Sequence, residues 1–405
     1  MLKKTLLCLM ALVALLASTP SYGRKTTVLV SFDGFRWDYP SYYDTPFLDR
    51  MASHGVEGSL IPSFPSKTFP NHYTLATGLR PEHHGIIANN FLDRATGAKF
   101  SLGNPKTKSD PRFYHGEPLW LTAQRQGLRT AVFYWPGSDV AISGKRPDVW
   151  HDYGEKPHMT FAQRADSIVA YLDKKAAPDL IMAYFEEPDY SGHSFGPQAK
   201  ETRRAVEAVD SLLASLWARI ERAGMGGKVN LVVVSDHGMT WFTPSRKIKP
   251  SDYLRKEWYD ALEGNLPCNV YAPERWQQDS IVKALAGVPH LRAWRKADIP
   301  RYLHYQADAN IGDVLVLPDE GYLFCDGDTH DGDTHDGGVH GYDPYCGDMQ
   351  AVFRAWGPDL RQGVSLGKMS NTAVYPLVCH LLGIKPAAND GEEAFEEIKG
   401  KALVK

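Results

Sequence analysis

Four stretches of the chain are apolar almost without interruption: Thr26 to Phe32, Thr130 to Tyr134, Asp179 to Phe185 and Val229 to Ser235. A half-buried strand alternates apolar and polar residues, whereas a run without alternation suits a parallel strand covered on both faces. Helical patterns lie between these runs. Thr160 followed by Gln163 makes a capping box ahead of a segment carrying Phe161, Ile168, Val169 and Leu172 on one side. Val206, Val209, Leu213, Leu216, Trp217 and Ile220 recur at helical spacing and predict a second, longer helix. Strands alternating with helices predict an α/β fold, a doubly wound and mostly parallel sheet with helices on both faces.

From about residue 240 to 317 the periodicity is poor and Pro, Trp, Arg and Lys accumulate, which predicts a cap or insertion followed by a return to the main sheet. One catalytic domain is expected over residues 24–390, with residues 391–405 as a short tail. The segment DGDTHDGDTHDGG, from Asp326 to Gly338, holds a direct repeat and is a loop by composition. Its spacing does not fit the calcium loop D-x-[DN]-x-[DN]-G. It reads as a solvated surface loop, with accessory metal binding by His330 and His335 as the alternative.

Composition narrows the function classes. The 405 residues are 43% hydrophobic and 11% aromatic, ample for a core, and the formal charge is −3 with no basic tract. That excludes an electrostatic footprint for duplex nucleic acid. A nucleotide or other small phosphate ester stays within reach, because a metal supplies positive charge locally. The first residues, MLKKTLLCLMALVALLASTPSYG, place Lys3 and Lys4 before a short apolar stretch and small residues. This predicts a secretory signal peptide over residues 1–23 and a periplasmic or secreted chain with no membrane span after cleavage. Cys8 lies inside the apolar stretch, which argues against a lipoprotein signal. Four cysteines follow, Cys268, Cys325, Cys346 and Cys379, and export permits disulfides. Cys325 and Cys346 bracket the Gly/Asp-rich loop and form the expected pair, four thiols being the alternative. Nothing in the pattern sets an oligomeric state.

The chemistry is concentrated in short polar clusters at the ends of the apolar runs. Asp33 closes the first run, Asp236 and His237 follow the last, Asp189 and His193 sit four residues apart, and His340 lies in HGYDP. Three Asp and three His suit two zinc ions with room left for substrate. An open α/β sheet collects its ligands at the carboxyl ends of its strands. Any one cluster alone reads as a helix cap beside a surface histidine; three together are harder to dismiss. Thr68 separates catalysis from metal storage. A hydroxyl opening a helix is either an N-cap or a nucleophile favoured by the helix dipole and a bound cation.

Five motifs, SFDGFRWDY, FPSKTFPNHYTLATGLRPEHHGIIANNF, YFEEPDYSGHSFGP, VVVSDHGM and HGYDP, occur in this order. Together they resemble the nucleotide pyrophosphatase/phosphodiesterase family of the alkaline phosphatase superfamily, over about Lys25 to Lys385 and in its compact bacterial form. The resemblance implies an alkaline-phosphatase-like fold with two zinc ions. Asp33, Asp236, His237 and the nucleophile Thr68 would hold one, and Asp189, His193 and His340 the other. It further implies that Asn89 binds a non-bridging phosphate oxygen and that Phe69 and Tyr184, with Tyr153 as a further candidate, sandwich a nucleobase. The reaction it implies is double displacement on a nucleotide diester or anhydride, releasing a nucleoside 5'-monophosphate through a covalent threonine intermediate. Alternatives stay open: a lysophospholipid or choline-phosphate diesterase, a phosphomonoesterase of the same superfamily, and a periplasmic zinc-binding protein. A sulfatase needs a C/S-x-P-x-R pattern that Thr68-Phe69-Pro70-Asn71 does not supply.

Overall fold

The computed structural model describes residues 25–173, 176–327 and 335–404. The signal-peptide segment and most of the repeat, His330 included, lie outside the described residues.

An eight-stranded sheet runs in the order Val364–Ser370, Val56–Ile61, Ala351–Trp356, Val229–Val234, Thr26–Phe32, Leu180–Phe185, Thr130–Phe133 and Val149–His151. Every neighbouring pair is parallel except those made by Ala351–Trp356, which is antiparallel to both neighbours. All four apolar runs are strands of this sheet. Successive side chains of a strand point to opposite faces. Every residue of the three central strands is buried, so helices cover both faces. Both predicted helices form. Phe161–Leu172 begins with the capping box, Thr160 Oγ1 accepting from Gln163 N at 3.2 Å, and Lys200–Arg222 buries Val206, Val209, Leu213, Leu216, Trp217 and Ile220.

The cap is a separate four-stranded antiparallel sheet, Ala261–Glu263, Cys268–Tyr271, Val314–Pro318 and Leu291–Arg295 in spatial order, under the helix Arg275–Leu285. Val270, Ile281, Leu285, Val314 and Val316 give it a small core of its own. The chain re-enters the main sheet only at Ala351. Before that, Gly337–Val339 pairs with Thr240–Phe242. Residues expected as a tail instead pack as the helix Glu392–Ala402, burying Phe395, Ile398 and Ala402.

The expected Cys325–Cys346 disulfide is not formed, and the four cysteines are thiols. Cys325 N bonds Ile248 O and Cys346 N bonds Asp343 O. Among the described residues no helix is long and apolar enough to cross a membrane.

Candidate active site

Parallel pairing of three central strands puts their carboxyl ends side by side, with Ser31 opposite both Tyr184 and Val234. Asp33, Asp189 and Asp236 therefore leave the sheet at one edge. Gly34 turns the chain at φ 65°, and a Cβ there would come within 2.9 Å of the Asp189 Cα. Its absence lets Asp189 N donate to Asp33 O at 3.0 Å. Gly238 allows a comparable approach, since a Cβ there would lie 2.0 Å from Asp348 O. The tight bend lets consecutive Asp236 and His237 face one point.

His237 Nε2 is the centre of the first group. It lies 2.9 Å from Asp236 Oδ2, 3.2 Å from Thr68 Oγ1 and 3.4 Å from Asp33 Oδ1. In the second group Asp189 Oδ2 is 3.5 Å from His193 Nε2, and Asp189 Oδ1 is 3.8 Å from His340 Nε2. The groups adjoin, with the His237 and His340 rings stacked at 3.5 Å.

The three imidazoles share one tautomer. Nδ1 of His237, His193 and His340 lies 2.7–2.8 Å from the carbonyl oxygens of Gly238, Gly338 and Ser66. A carbonyl only accepts, so Nδ1 carries the proton and the Nε2 lone pair faces the site. Backbone carbonyls that orient histidines in this way are typical of metal ligands. Glycine again permits the contact: a Cβ at Gly338 would collide with Gly192 O at 2.5 Å.

Electrostatics point to cations. Burial, and then Asp236 and Asp189, push the Asp33 carboxyl well above the ordinary carboxylate range. Burial acts on Asp236 too, but the His237 and His72 imidazoles outweigh it and hold that carboxyl well below the range. Burial opposes protonation of His237, yet Asp236 overrides it and raises the imidazole. Burial, then His237, pulls His340 well below the usual histidine range. Asp33 Oδ1, Asp189 Oδ1 and Asp236 Oδ2 are buried without a hydrogen-bond partner among the described residues. Leaving a buried charged oxygen unsatisfied costs more than the ~1–3 kcal/mol of a neutral group. A donor set of carboxylates and imidazoles with one orphaned oxygen per carboxylate fits divalent cations.

Thr68 opens the helix Thr68–Thr77, but it is not the cap. Lys67 holds the cap position in extended conformation, with no side-chain cap bond. The Thr68 hydroxyl faces His237 instead. Asn89 Oδ1 accepts from Phe69 N at 3.2 Å, which fixes the amide with its NH₂ directed away from that bond. Asn89, Lys67, His193 and His340 line a cavity of about 520 Å³ that runs out under the cap.

A family model described as type I phosphodiesterase / nucleotide pyrophosphatase matches residues 27–343. The chain belongs to this family. The human ectonucleotide pyrophosphatase/phosphodiesterase family member 5 is 34% identical over 370 residues, covering 91% of this chain and 76% of that protein. Family member 3 of Bos taurus is 34% identical over 90% of this chain and 43% of its own length. For the venom phosphodiesterase of Macrovipera lebetinus the figures are 33%, 93% and 45%, so the chain spans less than half of these longer relatives. Solved structures of human member 5, and of an inactive murine member 5 in complex with AMP, superpose with a TM-score of 0.86 at 33% identity. Each covers 94% of this chain and 100% of the solved one. The family membership supports a phosphodiesterase-type hydrolase and a metal-dependent one.

In this phosphodiesterase-family chain the fold brings together all seven residues named as metal ligands from the sequence. The three aromatic residues are placed differently from one another. Phe69 is 6% exposed and packs against Phe100 and Tyr114, each ring at 6.2 Å. Tyr153 is half-buried, with its ring 6.0 Å from Tyr184. Tyr184 is 7% exposed, and its hydroxyl donates to Asp33 Oδ2 at 2.6 Å. His72 is a participant the sequence reading passed over. Its ligand atoms fall within 4.8 Å of those of Asp33 and Asp236. The available signal was its position one helical turn after Thr68. His335, from the end of the repeat, has its Nε2 3.1 Å from Ser194 O and among the described residues belongs to neither group.

Proposed function

We propose that the chain hydrolyses phosphodiester and pyrophosphate bonds of nucleotides, using two zinc ions and Thr68 as nucleophile, and releases a nucleoside 5'-monophosphate. The observation that carries this reading is the Thr68 hydroxyl, unused as a cap, directed at His237 beside three orphaned carboxylate oxygens. Asp33, Asp236, His237 and Thr68 would hold one ion, and Asp189, His193 and His340 the other. Zinc bound there supplies Lewis acidity, favouring ionisation of a bound hydroxyl and neutralising phosphate charge. Thr68 Oγ1 attacks phosphorus in line, a threonine–phosphorus bond forms, and the bond to the departing oxygen breaks. Asn89 donates its amide to a non-bridging oxygen, held in that orientation by the Phe69 N–H. Water then attacks from the vacated side, breaking the threonine–phosphorus bond and restoring the hydroxyl. A zinc-binding protein would have no use for Thr68 in this place. The Lys-Lys and apolar start of the sequence supports export, so the reaction is expected outside the cytoplasm.

The test is a panel on the purified mature protein: a nucleotide diester, the matched monoester and a phosphocholine diester. The nucleotide diester is expected to exceed the monoester at least about 100-fold in kcat/KM, which is ~2.7 kcal/mol of transition-state discrimination. A better monoester would move the chain to the phosphatases, and a better phosphocholine diester to the lipid-type diesterases. Within the panel, Phe69→Ala reports on base recognition. Stacking of a base on an aromatic ring contributes ~1–3 kcal/mol. The variant is therefore expected to lose about 5- to 150-fold on the nucleotide and much less on an aryl phosphodiester without a base. Equal losses on both would assign Phe69 to packing alone.

A further inference from the structure

We propose that Tyr184 and His72 form a buried layer behind the site that positions the groups around Thr68, Tyr184 fixing the Asp33 carboxylate and His72 fixing the nucleophile's own backbone beside Asp236. The proposal rests on the two-zinc reading above and assigns these residues positions within it.

Tyr184 lies in a central strand, and its 2.6 Å bond to Asp33 Oδ2 is short, as expected for a hydroxyl donating to an ionised carboxylate. Occupying Oδ2 leaves Oδ1, the orphaned oxygen, as the one Asp33 presents to the site. The ring is closed in, with His72 edge-on at 4.9 Å and 89° and Tyr153 at 6.0 Å. A phenol packed this way orients a ligand rather than offering an open face to a base.

His72 is fully buried, and both its nitrogens are committed. Nδ1 lies 2.9 Å from Thr68 O and 3.3 Å from Asp236 Oδ2. Both atoms are acceptors, so Nδ1 carries the proton, and Nε2 accepts from Ser31 Oγ at 2.8 Å. A protonated nitrogen cannot ligate a cation. His72 is thus excluded as a ligand despite its proximity to Asp33 and Asp236; its N–H holds the Thr68 carbonyl, with Asp236 Oδ2 3.3 Å away. Trp135 closes the layer: its Nε1 donates to His72 O at 3.0 Å and its ring meets the imidazole at 5.3 Å. Ser31 and Tyr184 are register partners on adjacent strands, so the sheet itself sets the spacing of the two groups.

Partners that orient metal ligands are worth ~10–100-fold in metal affinity or activity. The test is zinc titration of the full mature protein against a chromophoric chelator, for wild type, Tyr184→Phe, His72→Ala and His72→Asn. Tyr184→Phe keeps the ring and removes only the hydroxyl, and is expected to weaken the tighter zinc about 10- to 100-fold, with turnover recovered by excess zinc. His72→Ala should weaken it comparably, while His72→Asn, whose amide N–H stands in for Nδ1–H, should regain part of the loss. Wild-type zinc affinity in Tyr184→Phe overturns the proposal, and this variant decides even if His72→Ala fails to fold. Failure of the wild type itself to bind zinc is a separate result and overturns the two-zinc reading beneath it.

Discussion

Thr68→Ala is expected to lose about four to six orders of magnitude in kcat on a nucleotide diester while keeping its zinc, the scale seen when a covalent nucleophile is removed from a hydrolase. The expectation follows from how the site is divided among elements. Asp33 and Asp236 follow central strands, Asp189 and His193 belong to the helix Asp189–Phe195, and His340 follows the strand Gly337–Val339. None of these depends on the threonine side chain for its place. The helix Thr68–Thr77 starts from an extended Lys67 with no side-chain cap, so losing the hydroxyl removes no capping bond. The stability change should accordingly stay within the ~0.5 kcal/mol usual for a substitution away from a cap or core contact. Single-turnover kinetics together with zinc content measure both halves of the claim. A variant that turns over near the wild-type rate would show that Thr68 only begins a helix. Thr68→Ser, which keeps the oxygen but lacks the methyl that restrains it, should retain part of the rate.

The parts of the molecule legible in the sequence are those where one physical rule decides. Unbroken apolar runs mean strands covered on both faces, and Thr26–Phe32 and Val229–Val234 lie at the centre of the sheet. Asp33, Asp236 and His237 were legible as a candidate group because polar residues directly after such runs have nowhere to go but the sheet's carboxyl edge. The cap was legible only as a break in periodicity. Its strands are three to five residues long, too short for alternation to show. The cysteine pairing was misread because chain proximity across a loop says nothing about where its ends are anchored. The residues after 390 gave little signal, because a helix such as Glu392–Ala402 buries only a narrow stripe. His72 and Tyr184 were hidden for a different reason. His72 reads in sequence as an ordinary core aromatic and Tyr184 as a base-stacking candidate, and only the distances to Asp33, Asp236 and Thr68 show which atoms their polar groups meet.

Removing the metal is expected to abolish turnover and also to lower thermal stability, and the two effects have one cause. Three carboxylates share a buried space, and each keeps one oxygen without a hydrogen-bond partner among the described residues. Desolvation by burial, and then repulsion from Asp236 and Asp189, drives the Asp33 carboxyl upward. Such an arrangement is unfavourable by itself and becomes favourable when cations complete it. A ligand that binds only the folded state stabilises it by about 2.7 kcal/mol when its free concentration is 100 times Kd. Two sites filled to that level would add about twice as much, several degrees in Tm for a domain of this size. Exhaustive chelation should therefore bring hydrolysis of a nucleotide diester to background and lower Tm by several degrees, and added zinc should restore both together. Restoration of Tm without activity would mean that the ions bind but Thr68 is not the group they activate. Full activity in a preparation shown to be metal-free would remove the two-ion mechanism altogether.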